Sequence, residues 1–250
     1  MNDSFPVISL VCFDLAGIVI DDSVVERAFA ETIAMQGIVA GTQDYARSMV
    51  RFDRSRGRSP AAVLRELFDG DEPRAQVASM AFDRSFRAAA SRFGVAVPPQ
   101  VADAIGEAAG TGAKVCLLTV LSRNSCDQLL GQFRLTDAVL CADDVPRTFP
   151  WPDPVLCAML RLGAADVREV AVVSATEDGV LSGYRAGAGL VVGVSGRSTA
   201  GVGGNGGAHR AAAAAHAAAL RDAGASHVID NVAELSLLLT TGSGQGRLHL

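Results

Sequence analysis

The stretch "VCFDLAGIVIDD", residues 11–22, decides the fold. An apolar run ends on an acid, Asp14, and a small-residue turn, Ala16-Gly17, follows at once. A carboxylate at the end of a buried strand is costly unless it is hydrogen-bonded or used. In open parallel sheets, ligands bind beyond the carboxyl ends of the strands. Asp14 is therefore the first candidate for chemistry, against the plainer role of a turn cap.

Working outward, residues 6–13, 113–120, 137–142, 169–175, 190–195 and 227–230 form short apolar runs rich in β-branched residues. Glycine or polar turns flank most of them, so they read as strands. Residues 100–112, 122–133, 152–163, 177–189 and 210–225 have helical spacing or strong helix propensity, and several end in glycine. The alternation predicts an α/β fold: a Rossmann-like parallel sheet covered on both faces, with right-handed crossovers. Residues 21–95 break this rhythm with helical patterns such as "SVVERAFAETIAMQG" and no convincing strand. The expected organisation is an α/β core from residues 1–20 and 96–250, with a helical cap, 21–95, inserted after the first strand. "GVGGNGG" (201–207) reads as a flexible loop and "TTGSGQGRLHL" (240–250) as a frayed tail.

Composition narrows the partners. Hydrophobic residues make up 49% of the 250, yet no apolar run reaches a membrane span. A net charge of −5 argues against a nucleic-acid partner. "PVISLVCF" is short, follows Asp3 and lacks a basic start and a small-residue cleavage pattern, so a cytoplasmic chain is expected. Five cysteines without a C-x-x-C pair fit reduced thiols better than disulfides or zinc. Cys12, Cys116 and Cys141 lie in apolar runs and read as small core residues. Lys114 is the only lysine among 22 basic residues.

"VCFDLAGIVID" resembles the opening motif of the haloacid dehalogenase (HAD) superfamily, hhhDxDGT, with Ala16 in place of the second Asp. That substitution is typical of one branch, phosphonoacetaldehyde hydrolase (phosphonatase) and phosphonatase-like proteins, whose motif reads FDxAGTT. "VCLLT", ending in Thr119, resembles the second motif. "CADDVPRTFPWPDPVLCAMLRLG" is similar to the third-motif region and "VAVVSATEDGVLSGYRAGAGLVVGV" to the fourth. The resemblance covers most of the chain. It implies a HAD core with a cap, a small-molecule substrate and a homodimer through the cap. It also implies Asp14 as nucleophile, Ala16 and Gly17 in the substrate turn, and Thr119 orienting an anionic or polar group.

The sequence departs from that pattern at chemical positions. Isoleucine stands at 18, where the branch usually has threonine. In the branch a cap lysine forms a Schiff base with the substrate. Lys114 starts the second strand, opposite the active edge, so that chemistry is excluded. Phe149 falls where the third motif carries a basic residue. Arg147, two residues earlier, either substitutes for it or is an ordinary loop arginine. Ala175 and Gly179 fall where the fourth motif carries its metal-binding acids. The neighbouring Glu177 and Asp178 either slip into that role or begin a helix, where acids favour the positive dipole end. Mg²⁺ wants hard oxygen ligands in near-octahedral geometry, so no cofactor is expected.

A lone carboxylate repels a phosphate dianion, so anion binding needs a cation from elsewhere. The candidates are Arg123, just past Thr119, Arg147, and Arg58 with its neighbours Arg51, Arg54 and Arg56 in "RFDRSRGR". The plainer alternative for that cluster is a solvated loop with Asp53. The expected function is an atypical HAD hydrolase of the phosphonatase-like branch. It would act through Asp14 on a small anionic molecule without the usual metal or Schiff-base lysine. Two alternatives stand beside it: a catalytically inactive HAD pseudoenzyme with a binding role, and a biosynthetic enzyme using Asp14 as a base for non-hydrolytic chemistry.

Overall fold

The computed structural model describes residues 7–15, 17–20, 22–130, 136–196 and 206–241. In chain order, β1 (Leu10–Asp14) leads to four helices: α1 (Asp22–Met35), α2 (Gln43–Arg54), α3 (Pro60–Leu67) and α4 (Glu72–Phe93). Then come α5 (Pro99–Gly110), β2 (Lys114–Leu118), α6 (Arg123–Leu130), β3 (Ala138–Leu140) and α7 (Asp153–Leu162). The chain continues through β4 (Val170–Ser174), α8 (Glu177–Ala186), β5 (Leu190–Val194), α9 (Gly206–Asp222), β6 (His227–Ile229) and α10 (Leu235–Thr241).

All strand pairs are parallel, in the order β3-β2-β1-β4-β5-β6. This is a Rossmann-like sheet with helices on its faces. β1 runs through its middle, with Asp14 opposite Leu118 of β2 and Phe13 opposite Val173 of β4. Chain order turns back at β1, since β2 lies on one side and β4 on the other. That makes the end of β1 the topological switch point, where such sheets bind ligands.

Period-two alternation sorts the core. Val11 and Phe13 face one layer with Val115, Leu117, Ala171 and Val173. Leu10 and Cys12 face the other with Cys116, Leu118, Phe149, Val155 and Val172. Burying each large side chain stabilises the fold by about 1.5–3 kcal/mol. The first layer continues without a break into the four-helix insert, through Phe29, Phe52, Leu64, Phe82 and Phe86.

Local chemistry fixes the insert's helices. Thr42, Ser59 and Asp71 each cap a helix by accepting a backbone N–H. Pro60 opens α3 where a missing N–H is harmless. α4 buries a small-residue face, Ala75, Ala78, Ala81, Ser85 and Ala89, which lets it lie close to α1. The Phe29 and Phe52 rings stack at 4.3 Å.

Asp83, midway along α4, reaches out of the insert. Ser122 Oγ and Ser125 Oγ donate to its Oδ1 at 2.7 and 2.8 Å, and Asn124 Nδ2 donates to Oδ2 at 3.3 Å. These donors sit at the start of α6, just beyond Thr119. Asp83→Ala removes all three acceptor contacts. It is expected to destabilise the protein by about 1–3 kcal/mol in denaturant titration and to speed amide exchange in α6. Unchanged exchange there would count against a joint between insert and core.

Lys114 sits at the N-terminal edge of β2, pairing with Asp137 at 3.0 Å. The Asp137 carboxylate also accepts from Val115 N at 2.8 Å. That backbone bond, with Lys114 adding to it, holds Asp137 below the usual carboxylate range. A depressed carboxylate stabilises the fold above its unfolded pKa, and the contribution is lost as pH falls through the folded value. Asp137→Asn should therefore lower the melting temperature at neutral pH, by about 1 kcal/mol of stability, and match wild type in strong acid.

Some sequence expectations shift. In "GVGGNGG", residues 201–205 lie outside the described residues, while Gly206 and Gly207 already belong to α9. In the expected tail, Thr240 and Thr241 close α10, and 242–250 lie outside the described residues. All five cysteines are free thiols, and Cys12, Cys116 and Cys141 are fully buried. No helix among the described residues is long and apolar enough to cross a membrane.

Candidate active site

Asp14 closes β1 and is only 3% exposed. Ser174 Oγ donates to its Oδ2 at 2.8 Å, and Thr176 Oγ1 donates to the same oxygen at 3.3 Å. Each hydroxyl is fixed by a backbone donor. Thr176 N–H donates to Ser174 Oγ at 3.0 Å, and Gly179 N–H donates to Thr176 Oγ1 at 3.1 Å. Thr176 thus caps α8 and points its proton at Asp14. Hydroxyl bonds to a carboxylate are charge-assisted and directional, so this pair sets the plane of the Asp14 carboxylate.

The turn after Asp14 folds close beneath this pair. Gly17 has φ +81°, and a Cβ there would stand 3.4 Å from Ala175 Cβ and 3.5 Å from Asp22 Oδ2. Ala16 lies outside the described residues. Thr119 follows β2 at the same sheet edge and is 5% exposed. Its N–H donates to Leu140 O at 2.9 Å, and its Oγ1 accepts from Leu121 N at 3.1 Å. Thr119 shapes the loop beside Asp14, with its hydroxyl proton available for another acceptor.

The insert presses on the site through one loop. Gly57 has φ +89°, and a Cβ there would come within 2.8 Å of Thr176 Oγ1 and 3.0 Å of Asp178 Cβ. Only glycine permits this approach. Arg58 follows at once and makes a two-pronged ion pair with Glu66 of α3. Burial pushes the Asp178 carboxyl above its ordinary range, opposed by nearby Arg58 and reinforced by Glu177. Arg56 bonds Asp22 Oδ2 at 2.8 Å and Asp53 Oδ1 at 2.7 Å, tying this loop to the start of α1.

Four of the arginines expected to hold an anion, Arg56, Arg58, Arg123 and Arg147, pair with acids. Arg123 pairs with Asp144, and its guanidinium also reaches Val139 O at 3.3 Å. Arg147 bonds Asp153 through two nitrogens at 3.0 and 2.9 Å and lies over the Trp151 ring at 4.3 Å. Arg51 donates instead to the backbone carbonyl of Glu66 at 3.1 Å. The structure brings Asp14, Gly17 and Thr119 to one edge and places Arg58 over the α8 side of it. Arg123 and Arg147 are directed to their own acids. Phe149, at the position of the motif's basic residue, is buried with Leu118, Val120 and Leu140. It forms part of the apolar floor.

A divalent cation beside Asp14 would need further hard oxygens. The motif positions for them hold Ala175 and Gly179, and Asp14 Oδ2 already accepts two hydroxyls. Glu177 and Asp178 form the first turn of α8. Among the described residues, no three His, Cys, Asp or Glu side chains gather as a metal group. This donor set does not fit Mg²⁺.

Ser174 and Thr176, Asp14's hydroxyl partners, are not among the site residues expected from the sequence. The usable signal was there: two hydroxyl residues straddling one position at the end of a buried strand, beside a strand ending in an acid.

No protein-family model and no curated protein matches the sequence. Solved structures share its architecture nearly end to end. A phosphonoacetaldehyde hydrolase-like protein from Oleispira antarctica superposes with a TM-score of 0.81 at 20% identity, covering 98% of this chain and 97% of its own. CbbY from Rhodobacter sphaeroides, in complex with phosphate, gives 0.69 at 21% identity, covering 91% and 96%. A HAD family hydrolase from Deinococcus radiodurans R1, with bound phosphate and sodium, gives 0.62 at 20% identity, covering 95% and 97%. The chain has the fold of HAD-type hydrolases.

Proposed function

We propose that this protein is an atypical hydrolase of the HAD superfamily, related to its phosphonatase-like branch, and that Asp14 is its reactive group. The observation that carries this reading is the buried Asp14 carboxylate at the switch point, oriented by Ser174 and Thr176. A carboxylate held this way can attack an electrophilic centre or take a proton from water or substrate. Residues 22–93 act as a cap that shields the reaction, with the loop at Gly57 closing against Thr176. Thr119 orients a polar group of a small substrate.

The reading includes no metal and no Schiff base. Arg58 is the cation placed to meet an anionic substrate, and such a substrate would compete with Glu66 for it. A second reading follows from the arginine pairing: Asp14 serves as a base for non-hydrolytic chemistry on a substrate without a phosphate. A panel of phosphoesters, phosphonates, 2-haloacids and neutral carbonyl compounds, each with and without Mg²⁺, separates the two. Hydrolysis unaffected by Mg²⁺ supports the first. Turnover confined to neutral compounds without net hydrolysis supports the second. No turnover of any class leaves a binding protein on a HAD scaffold.

A further inference from the structure

His216, on α9, faces two carbonyl oxygens. Its Nε2 lies 3.0 Å from Ala175 O and its Nδ1 lies 3.2 Å from Ser195 O. A backbone carbonyl is an acceptor only. A neutral imidazole has one N–H, so one of its nitrogens would turn a lone pair toward a carbonyl oxygen at hydrogen-bond distance. Only the imidazolium donates to both.

The Ala175 carbonyl belongs to the peptide group whose other end is Thr176 N–H. That N–H donates to Ser174 Oγ, and Ser174 Oγ donates to Asp14 Oδ2. A continuous chain therefore runs from His216 Nε2–H through the Ala175–Thr176 peptide and the Ser174 hydroxyl to the Asp14 carboxylate. A cation bound at the peptide oxygen polarises the peptide, strengthens its N–H as a donor, and makes the accepting hydroxyl a better donor in turn. We propose that His216 is a positioning residue of the Asp14 site, held as an imidazolium by the Ala175 and Ser195 carbonyls. It stiffens the hydroxyl pair that aims Asp14. Catalytic relevance, though not the protonation state, rests on the proposed Asp14 chemistry.

Ser195, whose carbonyl faces His216, also donates through its Oγ to Asp230 Oδ1 at 2.7 Å. α8, packed on α9, carries Glu177 and Asp178 in its first turn and Tyr184 and Arg185 in its last. β5 has no titratable side chain, and β6 offers His227 at its start. On α9 itself Arg210, Arg221 and Asp222 lie toward the ends.

The test is nitrogen-15 NMR of the His216 ring in the full chain, followed from about pH 5 to pH 9 without substrate. The expected spectrum at low and neutral pH shows both ring nitrogens protonated. On deprotonation the Thr176 amide resonance should move upfield, because its donor strength falls. A neutral single tautomer across that range overturns the proposal, as does a Thr176 amide indifferent to the titration. His216→Phe should move the Thr176 amide the same way and lower turnover about tenfold, the effect of losing one charge-assisted contact. If that variant fails to fold, His216→Gln replaces it, and the wild-type titration decides in any case. Two protonated nitrogens in a protein that turns over no substrate would sink the hydrolase reading and leave the His216 assignment standing.

Discussion

Asp14→Asn is expected to leave the fold intact and to lower turnover by a factor on the order of 10³ or more. Asparagine has nearly the same shape, and its amide oxygen can accept from Ser174 and Thr176 as Asp14 Oδ2 does. The amide nitrogen then occupies the place of the second carboxylate oxygen. That nitrogen is neither a nucleophile nor a base, so the reaction loses its attacking group while the hydroxyl pair keeps its acceptor. The measurement is turnover of whichever substrate the panel identifies, alongside thermal melts of both proteins. Equal turnover by the two proteins, with matched melting, would falsify the assignment of Asp14.

Gly179→Ala should produce the next largest effect, with a sign that is informative. In an ordinary helix this substitution stabilises by about 1 kcal/mol. Here the new Cβ would stand 2.2 Å from Ser174 Oγ and 2.8 Å from Ser174 Cβ. Rotating the hydroxyl away relieves only the first contact, because Ser174 Cβ is fixed to β4. α8 must move, and Thr176 at its cap moves with it. Overpacking of this kind destabilises by about 1–3 kcal/mol. Both donors to Asp14 are displaced, so turnover should fall by about tenfold or more. Adding Ser174→Gly to the same chain should restore stability by making room while leaving turnover low, which separates packing from orientation. A stabilised Gly179→Ala protein with full activity would show that this contact does not hold the site.

Much of the fold was legible because its signals are local. Apolar β-branched runs marked the six strands, and alternation with helical segments required a parallel arrangement. The position of Asp14 followed from the rule that such sheets act at their carboxyl ends. The place of Lys114 was legible for the same reason: it opens β2, at the edge opposite Asp14. The partners of Asp14 were less legible. Ser174 lies 160 positions away in sequence, and only the register of β1 beside β4 brings it within reach. The arginines were plausible anion binders by type. Their engagement depends on acids such as Glu66 and Asp144, whose proximity is set by tertiary packing. Asp83 carries no local signal of its role, because its three donors come from the start of α6, 39 to 42 positions away.

The contact between Gly57 and Thr176 makes the site behave as an interlock. The Gly57 loop packs against Thr176, which itself donates to the Asp14 carboxylate. If the four helices act as the proposed cap, lifting this loop would loosen Thr176 as water gains entry, and closing would restore its aim as water is expelled. Exposure and readiness would then be opposed by construction. Under that reading a buried acid is kept from acting on solvent between encounters by the absence of a single side chain at position 57.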